Sequence, residues 1–198
     1  MSRRRKSPRV ILLGGPNGAG KTTTAKRLLP DFLSLRAFVN ADAIAAGLSA
    51  FAPDSVARQA GRLMIRRLQE LARERADFAF ETTLASRTFA PFLRRCRSRG
   101  YRVTVIYLWL ESADLAVDRV SLRVRTGGHD VPEATVRRRY EAGWRSFLDL
   151  YRPIADEWQA YDNTSAQASL VAQASADGIV SVMRPATWAI IEAGPKRS

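Results

Sequence analysis

Apolar residues come along this chain in short continuous runs separated by stretches of helical period, with glycine or proline at most of the joints. Val10-Ile11-Leu12-Leu13, closed by Gly14 and Gly15, predicts a buried strand over Arg9–Gly14. Residues 21–29, stopped before Pro30, predict the helix after it. Residues 37–40 read as a second short strand, leading into a short helix through Ile44. Val56, Ala60, Leu63, Met64, Leu68 and Leu71 recur at helical spacing and predict an amphipathic helix over 53–75, with Pro53 suited to its first turn. A third strand is expected at 78–80 and a helix at 87–99, ended by Gly100. Residues 103–110 form the clearest buried strand of the chain. Helices at 113–126 and 133–149 enclose the turn Gly127-Gly128-His129-Asp130-Val131-Pro132. Strands at 158–161 and 178–183 and a closing helix at 186–192 complete the pattern.

Strands alternating with helices predict an α/β fold, a parallel sheet sandwiched by helices, with binding at the C-terminal ends of the strands. The 198 residues fit one domain, expected over 10–194 between a flexible basic arm (1–9) and a short tail (195–198).

Composition narrows the function classes. The apolar run at 103–110 is far short of the ~20 residues of a membrane helix, so no membrane association is expected. One cysteine, Cys96, and one histidine, His129, exclude an internal disulfide and a structural Cys/His zinc site, which points to a reducing, cytoplasmic compartment. The net charge of +13 favours anionic partners. Only 4 of the 32 basic residues are lysine, however, and such arginine bias also arises from genome base composition, so charge alone selects no ligand.

The decisive segment is Gly15-Pro16-Asn17-Gly18-Ala19-Gly20-Lys21-Thr22, which fits G-x-x-x-x-G-K-[ST] and sits after a buried strand and before a helix. Glycines let backbone N–H groups curl around phosphate oxygens at a helix N-terminus. Lys21 can then reach the β and γ phosphates, and Thr22 offers a hydroxyl to Mg²⁺. Together with Thr23, these residues form the expected ATP-binding loop of a P-loop NTPase.

Three further groups bear on what happens to the phosphate. Asn40-Ala41-Asp42 follows the second strand, where Asp42 can accept the proton of an attacking hydroxyl or hold the metal; alternatively, Asp42 or Asn40 merely caps the next helix. Glu81-Thr82-Thr83 ends the third strand and suits gripping an acceptor, with helix capping the competing reading. Arg119, Arg123, Arg125, Arg137, Arg138 and Arg139 flank the glycine turn as an arginine-rich lid closing over the phosphates, or else as a solvated face. Three successive arginines cannot share one helical face, so one of Arg137–Arg139 must turn outward. His129 suits a hydrogen-bonding lid residue. The stripe Arg58, Arg62, Arg66 reads as solvated surface.

With Val39-Asn40-Ala41-Asp42, Phe80-Glu81-Thr82-Thr83, the Gly-Gly-His turn and Tyr161-Asp162-Asn163 added in order after the phosphate loop, the chain from about Val10 to Asn163 resembles zeta-toxin-type kinases. Within them it resembles the chromosomal branch labelled predicted ABC-type ATPases. The resemblance implies a nucleotide-kinase-like fold and ATP- and Mg²⁺-dependent phosphorylation of a nucleotide sugar, UDP-N-acetylglucosamine, on a hydroxyl, with an antitoxin as a possible partner. It implies Lys21 at the phosphates, Thr22 and Asp42 at the metal, and Asp42 as the base. Asn40, Glu81, Thr82 and His129 fall on the acceptor, and Arg123 and Arg138 are chosen as the lid's working pair. The alternative is a basic nucleic-acid-binding ATPase or polynucleotide 5′-kinase. Its binding surface would need aromatics interleaved with the arginines, and Tyr140, Trp144 and Phe147 stand instead at core-like spacing.

Overall fold

A computed structural model describes residues 7–28, 35, 37–50, 52–128, 130–165 and 167–195. Among them the strands are β1 (Arg9–Gly14), β2 (Ala37–Val39), β3 (Phe78–Thr82), β4 (Arg102–Trp109), β5 (Glu157–Asp162), β6 (Ser169–Ala174) and β7 (Val180–Val182). They form one sheet in the order β2-β3-β1-β4-β5-β6-β7. The first five are mutually parallel, as the alternating pattern predicts. The last two are antiparallel and make the sheet mixed rather than purely parallel. β6 escapes the hydrophobic pattern because Ser169, Gln173 and two small alanines dilute it, with only Val171 and Ala172 buried.

The helices are α1 (Lys21–Leu28), α2 (Ala41–Leu48), α3 (Ala57–Arg73), α4 (Phe89–Ser98), α5 (Ala113–Arg125), α6 (Glu133–Ser146) and α7 (Pro185–Ala193). A single 3₁₀ turn over Pro53–Val56 precedes α3, whose Ala60, Met64, Leu68 and Leu71 are buried as the spacing requires, while Val56 and Leu63 are only half-buried. The helix expected over 133–149 is α only to Ser146 and then widens into a π turn over Phe147–Tyr151. That turn stacks the Phe147 ring on Tyr107 of β4, centroids 4.2 Å apart, and lets the Tyr151 hydroxyl donate to the Ser86 carbonyl at 2.6 Å. Arg9, expected at the end of the arm over 1–9, opens β1 with its backbone N–H and guanidinium on Asp77, and residues 1–6 lie outside the described residues. Leu29 and His129 lie outside the described residues.

Parallel register sets the site. Gly14 of β1 stands level with Thr82 of β3 and Tyr107 of β4, and Trp109 of β4 with Asp162 of β5. The loops leaving β3, β1, β4 and β5 therefore emerge at one end of the parallel strands, over a core that includes Leu12, Leu13, Phe80 and Leu108.

Candidate active site

The loop from Gly15 to Gly20 leaves β1 against β4: Gly15 adopts φ +149°, and a Cβ there would lie 2.5 Å from the Leu108 carbonyl oxygen, so this turn excludes any side chain. Lys21 then opens α1 and folds back so that its Nζ donates to the Pro16 carbonyl at 2.8 Å, across the loop. Burial lowers its pKa from 10.5 to about 8, against the opposing pull of Glu81 and Asp42. Such a poorly solvated ammonium is suited to a phosphate, which restores the counter-charge that water cannot supply.

Beside it, the Thr22 hydroxyl lies 3.0 Å from both oxygens of Glu81 at the end of β3. Burial raises the Glu81 pKa, opposed first by Lys21 and then by the Thr22 hydrogen bond. Glu81, expected on the acceptor, lines the pocket and meets Thr22 with its side chain. Thr22, Glu81 and Asp42 present only oxygen donors, the set that suits Mg²⁺ when phosphates complete the shell. The chemistry of these residues thus fits the ion.

Asn40 resolves the capping question. Its side-chain oxygen accepts from the Ala43 N–H at 3.0 Å, so Asn40 is the N-cap of α2. Asp42, in the first turn of α2, is exposed and free of that duty, and it lines the same pocket as Lys21 and Thr22. The pocket has a volume of about 630 Å³. Thr82 is only partly available to an acceptor, because its hydroxyl accepts from the Leu84 N–H at 3.2 Å.

On the far wall stand Arg119 and Arg123 of α5 and Arg138 and Arg139 of α6. Arg137 turns outward to Asp114 and Glu133, at 2.6 and 2.7 Å, as helical geometry required of one of the three. Both arginines chosen from the sequence, Arg123 and Arg138, therefore reach the pocket. Arg119 is spent elsewhere, donating to the carbonyls of Asn163 and Thr164 at 2.8 and 2.7 Å. Val120, Val136 and Tyr140 anchor α5 and α6 in the core. Val131 of the connecting turn is buried in the same core, so the arginine wall is largely preformed.

The strand-end motif after β5 has a role that spacing alone left open. Asn163 Nδ2 donates to the Ala19 carbonyl at 2.7 Å and so braces the phosphate loop from the β5 side, while Asp162 pairs with Arg184 at 3.0 Å.

Comparison with known proteins agrees with this geometry. Residues 1–164 match the zeta toxin family. An uncharacterised protein of Haemophilus influenzae is 25% identical over 132 residues, 67% of this chain and 92% of that protein. Among solved structures, a chain of the AvrRxo1-ORF1:AvrRxo1-ORF2 complex with sulphate ions superposes with a TM-score of 0.79 at 16% identity, over 98% of this chain and 66% of that one. The ATP complex of the same pair gives 0.77. The PezAT chromosomal toxin-antitoxin system of Streptococcus pneumoniae gives 0.64 at 16% identity, over 93% of this chain and 78% of that one. This chain thus spans just under two thirds of the AvrRxo1 chains' length, and at such identities the likeness is one of fold.

Proposed function

Because the chain belongs to the zeta toxin family and carries its P-loop kinase fold, we propose that it is an ATP-dependent kinase that phosphorylates a hydroxyl of a nucleotide sugar, with UDP-N-acetylglucosamine the expected acceptor. The observation that carries this reading is that one pocket is lined by Lys21 and Thr22 of the phosphate loop, by the uncommitted carboxylate of Asp42, and by Arg123 and Arg138 opposite. Bound at the Thr22 hydroxyl and the facing carboxylates, Mg²⁺ supplies charge neutralisation to the β and γ phosphates. Lys21 orients the same phosphates, Asp42 takes the acceptor hydroxyl's proton, and Arg123 and Arg138 stabilise the charge that spreads over the transferred group. By the same reading the protein works in the cytoplasm and is held in check by an antitoxin protein, as the toxin-antitoxin character of PezAT suggests. Among the described residues no helix is long and apolar enough to cross a membrane.

The test is incubation with labelled ATP and a panel of nucleotide sugars, with a 5′-hydroxyl oligonucleotide as a separate arm. Label on a nucleotide sugar supports the proposal. Label on the oligonucleotide alone replaces it with the polynucleotide reading.

Two further outcomes are expected. Arg123→Ala and Arg138→Ala each lower kcat by about 10²-fold while changing ATP affinity much less, because their contacts strengthen as charge develops. Presteady-state transfer beside equilibrium ATP binding separates the two effects. The second concerns protons. The free protein's Lys21 deprotonates near pH 8, and bound phosphates favour its charged form. ATP binding at pH 9 therefore takes up protons, and affinity falls as pH rises above about 8. Calorimetry in buffers of different ionisation heat measures the uptake, which vanishes in Lys21→Met.

A further inference from the structure

A second cleft lies between α3 and α4, remote from the phosphate loop. It has a volume of about 300 Å³ and is lined by Gln69, Ala72 and Arg73 of α3, Phe92, Arg95 and Cys96 of α4, and the following Arg99. The spacing is that of two facing helical stripes, 69/72/73 against 92/95/96/99. Ala72, Phe92 and Cys96 are buried and make an apolar floor, while the three arginines stand exposed on the rim.

The rim charges lack the partners that surround comparable arginines. Arg97, on the same helix, pairs with Asp156 at 3.0 Å, and Arg67 of α3 pairs with Glu70 at 3.2 Å. Arg75 donates to the Arg99 carbonyl at 2.9 Å and so already serves the α4 C-terminus. Arg73, Arg95 and Arg99 form no ion pair among the described residues, and no acidic side chain lines the cleft. Burial pushes the Cys96 thiol on the cleft floor up to about 11, and Arg99 and Arg95, which line the same cleft, oppose that rise. Three like charges held around one cavity repel each other, and a bound anion removes that repulsion while accepting the donors of the guanidinium forks.

We infer that the α3–α4 cleft is a second anion site, taking a small ligand with a phosphate-class group between Arg73, Arg95 and Arg99. The volume, about half that of the first pocket, admits an inorganic polyphosphate or a small phosphorylated metabolite. Met64 of α3 lines the phosphate-loop pocket and Arg73 lines this one, about 13 Å apart along the helix at its regular rise. The two sites are thus separate.

Inorganic pyrophosphate is the probe, titrated into the whole protein with and without a saturating non-hydrolysable ATP analogue. The expected result is a binding event that persists when the analogue fills the phosphate loop. It weakens by about tenfold or more in Arg73→Gln/Arg95→Gln, each lost charge-assisted contact contributing at that scale. Arg95→Lys, which keeps the charge, retains most of the affinity. Arg99→Gln reads the third rim position independently, should the double variant fold poorly. Pyrophosphate binding that the ATP analogue displaces completely, or that is unchanged in all the rim variants, overturns the inference. So does a single-stranded oligonucleotide whose binding depends on these arginines while pyrophosphate does not bind.

Discussion

In Lys21→Ala, phosphoryl transfer falls by about 10³-fold or more and ATP affinity drops with it, while the fold is retained. The expectation rests on where the ammonium sits. Its Nζ bridges the loop to the Pro16 carbonyl, and burial has already lowered its pKa to about 8. The free protein therefore carries the cost of a desolvated charge that only the phosphates offset. Between about pH 8 and 10.5 the unfolded chain holds this proton and the folded one does not, so the group's destabilising effect fades as pH rises through that window. Removing the amine at pH 7 accordingly leaves thermal stability unchanged or raises it, while the backbone cradle stays in place. Rates and melting temperatures measured together check both halves. Turnover at the wild-type level removes Lys21 from the chemistry, and with it the kinase reading.

Glycine at Gly128 has a more local effect on the same chemistry. A Cβ there would stand 2.5 Å from Arg123 Cγ and 3.0 Å from its carbonyl oxygen, which accepts from the Gly128 N–H at 2.9 Å. Gly128→Ala therefore displaces Arg123 from the pocket wall and reproduces part of the kcat loss of Arg123→Ala without touching a phosphate contact directly, as single-turnover rates of the two variants show.

The central parallel strands β1 and β4 were legible because they are buried on both faces and read as nearly continuous apolar runs, Val10–Leu13 and 103–110. Of the antiparallel addition, β7 falls within the strand expected at 178–183, whereas β6 was not legible because it buries only two residues. The phosphate loop was legible as a local spacing. Its supports were not, since they span the sequence: Asn163 reaches Ala19 over 144 residues and Thr22 meets Glu81 over 59. Only register between strands brings such pairs level, and no periodicity within one segment reports it. Helical geometry did predict that Arg137–Arg139 must diverge. Arg137 turns out toward Glu133, an i,i+4 partner on its own helix that the sequence shows, and toward Asp114 on α5, a contact between helices that it does not.

Asp42→Asn separates the two roles that a carboxylate after β2 can have. The cap of α2 is already supplied by Asn40, whose oxygen holds the Ala43 N–H at 3.0 Å, so position 42 contributes only an acidic charge in the first turn. Loss of that charge costs about 0.3–1 kcal/mol through the helix dipole, and the melting temperature falls slightly. Catalysis responds on another scale. Asparagine keeps the size and polarity of the side chain but cannot take the acceptor's proton, so transfer falls by about 10²- to 10⁴-fold while ATP still binds. Glu81→Gln is the informative companion. Its carboxylate meets the Thr22 hydroxyl at the wall of the pocket, so its loss weakens Mg²⁺ binding and raises the metal concentration needed for half-maximal rate. Single-turnover transfer to a nucleotide sugar, measured for both variants across a magnesium titration, distinguishes base from metal ligand. A rate defect in Asp42→Asn that added Mg²⁺ restores makes Asp42 a metal ligand, and unchanged transfer removes it from the chemistry altogether.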